Sequence, residues 1–186
     1  MPRRRVIALL TVAALALPAS ALAHIRLQGV FNMTGRITVA RDVPGEHVGE
    51  RVSRLWEFLA PCPAGQCATE DLVRARTVGE DKVSLERKRR VFSRWVGFGS
   101  FYAPLQCGAH IYQRGERVWF EIIVQISATE TVNGAPIATA LRATYSDYRR
   151  VNRTKCFAVL GHDAAVYTGT LITPEPVQSG PTAAPG

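Results

Sequence analysis

The chain has 186 residues, 47% hydrophobic and 20% charged, with a formal net charge of +8 at pH 7. The length suits one domain that buries about 70% of its unfolded surface and needs no metal to hold it together. Beyond the first two dozen residues no run of eighteen apolar side chains occurs, which argues against a transmembrane helix in the mature chain.

Arg3, Arg4 and Arg5 open the chain, and residues 6–17 form an apolar run too short to span a bilayer. Pro18 breaks that run, and Ala21-Leu22-Ala23 supplies a small-x-small cleavage pattern. Residues 1–23 therefore read as a secretory signal peptide, and the protein is expected to be secreted or held in the periplasm or cell wall. Cleavage after Ala23 makes His24 the first residue of a single β domain, 24–172, and lowers the net charge to +5. A moderate positive charge of this kind serves solubility.

Residues 31–41 alternate, with Phe31, Met33, Ile37 and Val39 on one face and Asn32, Thr34, Arg36 and Thr38 on the other, the pattern of a half-buried strand. Asp42-Val43-Pro44-Gly45 makes a turn, and a second strand over 52–59 puts Trp56 and Phe58 on a shared face. Further strands are expected over 72–78, 83–92 and 95–102, where Gly97 and Gly99 suggest a bend or the close approach of another backbone. The strongest local signal is a hairpin over 117–146, with Phe120, Ile122, Val124 and Ile126 on the inner face of its first arm. Asn133-Gly134 is a preferred type I′ pair, and Ile137, Thr139, Leu141 and Tyr145 continue along the return arm. Residues 147–163 read as polar and irregular, 165–171 as a closing strand, and 173–186 as a disordered Pro-rich tail.

Four cysteines in an oxidising compartment make two disulfides the default, with three connectivities open. Cys62–Cys67 with Cys107–Cys156 is preferred, because Pro63-Ala64-Gly65-Gln66 is a turn-forming tetrapeptide between the first two. Zinc fits a C-x4-C with two scattered cysteines poorly. About eight strands with short connections and no amphipathic helix indicate an all-β fold. An antiparallel meander barrel, lipocalin-like in outline, is favoured over a two-sheet sandwich.

Trp56-Glu57-Phe58 leading to Cys62, Cys67 and Thr69, then Leu85-Glu86-Arg87, Phe101-Tyr102 and Cys107-Gly108, resembles secreted actinobacterial β domains of unknown function. Their W-x-F strand runs into a short C-x4-C turn, and an aromatic-rich strand precedes their third cysteine. The resemblance covers most of residues 30–171 and rests on disulfides and core aromatics. It implies an extracytoplasmic β domain and transfers no catalytic residue.

Two groups of residues invite a chemical reading. His24, once at the N-terminus, offers an α-amino group and an imidazole to one copper ion, with His110, His47 or His162 as a second ligand. Against it, the residues that follow His24 match no copper-site pattern. The second group is basic. Arg87 and Arg89 continue the inward face of Val83 and Leu85, and Arg74 shares the face of Leu72. A buried arginine is costly unless paired, and an anionic ligand held with the help of Trp95 and Tyr102 would supply a partner. The alternative is an edge strand that uses charge to block aggregation.

Basic residues such as Arg149, Arg150, Arg153 and Lys155 do not interleave with aromatics in any nucleic-acid motif, so no specific nucleic-acid partner is expected. Neither a nucleophile elbow nor a metal motif points to catalysis. The expected function is non-catalytic binding of a small apolar or anionic ligand or a cell-envelope polymer, with no cofactor. An interaction domain without a ligand is the alternative, and a copper protein using His24 the third reading.

Overall fold

A computed structural model describes residues 25–63, 66–75, 79–88 and 93–174. Residues 1–23, read above as a signal peptide, together with His24, the basic residue Arg89, and nearly all of the Pro-rich tail lie outside the described residues. Eight strands follow one another as β1 (Gly29–Arg41), β2 (Arg51–Leu59), β3 (Thr69–Ala75), β4 (Glu80–Arg87), β5 (Arg94–Cys107), β6 (His110–Val132), β7 (Ala135–Asn152) and β8 (His162–Thr173). Each pairs antiparallel with the next, and β8 returns to pair with β1 from Val30↔Thr173 to Arg41↔His162. The sheet is a closed barrel, not a sandwich.

Closure follows from the alternation. One side of every strand is apolar, and an eight-stranded ring is wide enough for those side chains to fill. Phe31 and Met33 of β1, Trp56 and Phe58 of β2, Leu72 of β3, Leu85 of β4, Trp95 of β5 and Phe120, Ile122 and Val124 of β6 are all fully buried. Phe31 and Phe58 meet edge to face with centroids 5.5 Å apart, a favoured aromatic geometry. Each such side chain contributes about 1.5–3 kcal/mol by leaving water.

Both disulfides form as expected, Cys62–Cys67 with Cα atoms 5.6 Å apart and Cys107–Cys156 with Cα atoms 6.0 Å apart. Asn133 and Gly134 have φ of 51° and 79°, both positive as a type I′ turn requires. The expectations near the hairpin ends need correction. β5 and β6 run to Cys107 and from His110, making one long ribbon where shorter strands were expected, and β7 continues to Asn152 through residues read as irregular. Register shifts explain part of this. One near Ala128 makes Ala138 fully buried where Thr139 was expected, and another at Trp119/Phe120 breaks the alternation in β7. β8 begins at His162 and extends through Thr173, the first residue assigned to the tail.

The lower end of the barrel is closed by a segment that carried no strand signal. Ile25, Arg26, Leu27 and Gln28 are at most 7% exposed. The Arg26 N–H donates to Pro136 O, and the Ala138 N–H donates to Arg26 O, forming a parallel bridge. The Arg26 guanidinium donates to Gln28 Oε1 at 2.7 Å and to Cys62 O at 3.1 Å, which fixes the segment beside the first disulfide.

Gly97 is required by packing. It pairs with Leu85 across the sheet, and a Cβ placed on it would lie 2.5 Å from Leu85 Cδ2 and 2.9 Å from Ser84 O. Gly97→Val should therefore lower stability by about 1–3 kcal/mol, the usual cost of overpacking, as read from the urea midpoint. An unchanged midpoint would contradict this packing.

Candidate functional site

At the upper end the interior is not filled. A cup of about 480 Å³ opens between the links that follow β1, β5 and β7. Its wall includes Ile37, Phe101, Leu105, Ala165 and Tyr167, and its polar lining includes Arg54, Arg74, Glu116, Arg150 and Asp163. A larger hollow of about 870 Å³ lies on the outer wall between Arg36, Arg51 and Arg142. It is more open to solvent and gathers none of the buried polar groups, so the cup is the candidate site.

Arg74 projects inward from β3, as the parity of its strand predicts, and is 7% exposed. Its partner is a carboxylate of the same chain. Arg74 Nη2 donates to Asp81 Oδ2 at 2.7 Å, and the two residues face each other across β3 and β4. The guanidinium carbon lies 4.5 Å from the Phe120 ring centroid and 5.0 Å from that of Tyr145, so two aromatic faces also stabilise the charge. Arg74 Nε remains buried without a hydrogen-bond partner, as does Nε1 of Trp56, its neighbour across the β2–β3 pair.

A second polar cluster is built by β6, β7 and β8. The register shift at Trp119/Phe120 sets Phe120 opposite Asp147 and Trp119 opposite Arg149. Asp147 and Arg150, three residues apart, thereby both point inward, while Tyr148 and Arg149 between them are exposed. Arg150 donates to Glu116 Oε2 at 2.9 Å and also to Asp147 and Asp163. Asp147 further contacts Nδ1 of His162, and among the described residues it is the only side chain bonded to that ring.

One guanidinium thus faces three carboxylates, two of them nearly dry. Burial pushes the Asp163 carboxyl above its ordinary range, helped by the negative charge of Asp147 and opposed by Arg150. Burial likewise raises Glu46, with Asp163 adding to the effect. The Tyr145 hydroxyl is raised well above its usual value, first by burial and then by Asp163. For Arg150, burial works against the charge, but the hydrogen bond to Asp147 and the neighbouring carboxylates outweigh it.

The other expected site residues are dispersed. Arg87 lies on the inner face but at the lower end, where it donates to Gln66 Oε1. Trp95 is fully buried in the core and does not line the cup. Tyr102 is on the outer wall and 38% exposed, with Arg114 stacked 4.1 Å over its ring. His110 stands exposed at the β5–β6 tip, 4.3 Å from the Tyr112 ring, and no group of three metal-ligating side chains occurs among the described residues. The inward cluster escaped the sequence reading because residues 147–163 read as irregular, because period-2 alternation fails at the bulge between Asp147 and Arg150, and because β8 begins before Asp163. The spacing of an acid and an arginine three apart on one strand was the available signal.

Replacing Arg150 with Met should cost about 3–5 kcal/mol, because it strands buried carboxylates without their cation. Folded Asp163 and Glu46 hold protons to higher pH than the ordinary carboxyl values of 3.8 and 4.5. Their contribution to stability is therefore complete below those values and is lost as pH rises through the raised ones. The urea midpoint should fall across that interval, and Asp163→Asn should flatten the fall; an equal slope in the variant would contradict the assignment.

Comparison with protein-family models, with curated proteins and with solved structures finds no match to this chain.

Proposed function

We propose that this chain is a non-catalytic binding protein that works outside the reducing cytosol and takes one small, mainly apolar ligand into the cup. The observation that carries the reading is the cup itself. Its volume of about 480 Å³ falls within the range of small-molecule sites, and its wall combines apolar side chains with a few convergent polar groups. Eight-stranded barrels of this diameter hold a single small ligand when their side chains do not fill them. Two disulfides are compatible with an oxidising compartment, as are the signal-like residues 1–23.

Charge favours an apolar ligand over a strongly anionic one. Arg74 and Arg150 already hold carboxylates of the same chain, and the cup adds Asp42 and Glu46 to its lining. An entering anion would meet four lining carboxylates, Asp42, Glu46, Glu116 and Asp163, against three guanidiniums, Arg54, Arg74 and Arg150. The buried Nε of Arg74 supports one hydrogen-bond acceptor on the ligand, such as a hydroxyl, carbonyl or single carboxylate oxygen.

Fluorescence titration with neutral N-phenyl-1-naphthylamine and with anionic 1-anilinonaphthalene-8-sulfonate tests the proposal. Saturable binding is expected, at least as tight for the neutral probe. Ala103→Trp, which fills the cup from β5, should abolish it, whereas Arg87→Ala at the opposite end should leave it unchanged. Absence of saturable binding by either probe would return the chain to the reading of an interaction domain without a ligand.

A further inference from the structure

We propose that the rim of the cup docks on an anionic phospholipid membrane, so that ligand is exchanged between the bilayer and the barrel. The inference rests on the reading of the cup as a ligand site. It starts from exposed apolar side chains on the upper links. Phe157 is wholly exposed, Val159 is 72% exposed, and Ile111 at the β5–β6 tip is 53% exposed. Val48 on the β1–β2 link is 66% exposed. Val159 and Ile111 also line the cup, so the apolar rim is continuous with its entrance.

The shape of this rim suits a fluid partner. The apolar residues stand on two links and the β5–β6 tip around an opening. A folded protein partner needs a closely matched surface over its contact area, whereas a bilayer interface accepts separate projections. Large apolar side chains left in water at one end of a molecule mark an interaction surface.

The charges agree. Segments 105–115 and 151–161 contain the cations Arg114, Arg153 and Lys155 and no Asp or Glu. All three cations are exposed, and none is ion-paired among the described residues. The carboxylates of the mouth belong to the β1–β2 link, as Asp42, Glu46 and Glu50, to the start of β4, as Glu80, or to the inside of the cup. One lobe of the rim therefore pairs Phe157 and Ile111 with positive charge, the combination that binds anionic headgroups while burying apolar tips below them.

The second disulfide makes that lobe one unit. Cys107–Cys156 ties the β5–β6 tip to the β7–β8 link, and the Arg153 N–H donates to Gly115 O at 2.7 Å. Phe157 follows Cys156 directly, so the bond that stabilises the barrel also sets the spacing between Phe157 and Ile111.

Co-sedimentation of the oxidised protein with vesicles tests this. Vesicles of phosphatidylcholine containing phosphatidylglycerol should bind the protein, and vesicles of phosphatidylcholine alone should bind it less, with the difference reduced by salt. Phe157→Ser should weaken partition by about tenfold or more. Phe98→Ser, which removes a phenylalanine 60% exposed on the outer wall, should not. Absence of binding to anionic vesicles, equal binding to both compositions, or equal loss in both variants would each overturn the proposal. Uptake of N-phenyl-1-naphthylamine from water separates it from the cup reading. Phe157→Ser should take up the probe like the unmodified protein, whereas failure of the unmodified protein to do so overturns the cup and not the vesicle result.

Discussion

The pairing of β1 with β8 is the constraint on which the rest of this structure depends. An open eight-stranded meander would expose two unpaired edges and would leave one face of the sheet without a partner. Closure removes both edges and turns the apolar faces toward a common axis. It also gives the interior a fixed width. Side-chain size is then no longer free: Trp56, Phe58, Phe31 and Trp95 occupy the lower and middle levels, and Gly97 is small because Leu85 lies against it.

A fixed interior has two ends, and the chain treats them differently. Residues 25–28 close the lower end with backbone bonds to β7 and a buried arginine tied to Cys62. At the upper end small side chains such as Ala103, Ala164 and Ala165 stand in the wall, and a cup remains. Buried charges collect in and beneath that cup. The low dielectric of the interior makes an isolated charge there very costly, so Arg74 is paired with Asp81 and Arg150 with Glu116, Asp147 and Asp163. Burial raises the Asp163 carboxyl, and the neighbouring Asp147 adds to the rise against the opposing charge of Arg150. The polar groups that shape the cup thus also make this end of the barrel sensitive to protonation.

Much of the fold was legible because strand alternation is a local property. Phe120, Ile122, Val124 and Ile126 announce a buried face wherever the strand is placed, and Asn133-Gly134 announces its turn. The inward direction of Arg74 followed from the same counting. Its partner did not, because Asp81 is found only when β3 and β4 are set in register. The cluster of Asp147, Arg150 and Asp163 was hidden for a related reason. A bulge shifts the parity within β7, and neither its presence nor its position is written in the alternation. Tyr102 illustrates the converse, since it was expected to help hold a ligand but stands on the outer wall beneath Arg114.

By itself the sequence determined the all-β character, the approximate number of strands and the short turn that joins Cys62 to Cys67, since these depend on residue spacing over a few positions, whereas Cys107–Cys156 was a preference among three connectivities. Only the tertiary structure decided that the sheet closes, that residues 25–28 seal one end, and that the other end keeps a cup. Those outcomes depend on which strands become neighbours and in what register, and on how the summed side-chain volume compares with the space inside a ring of eight.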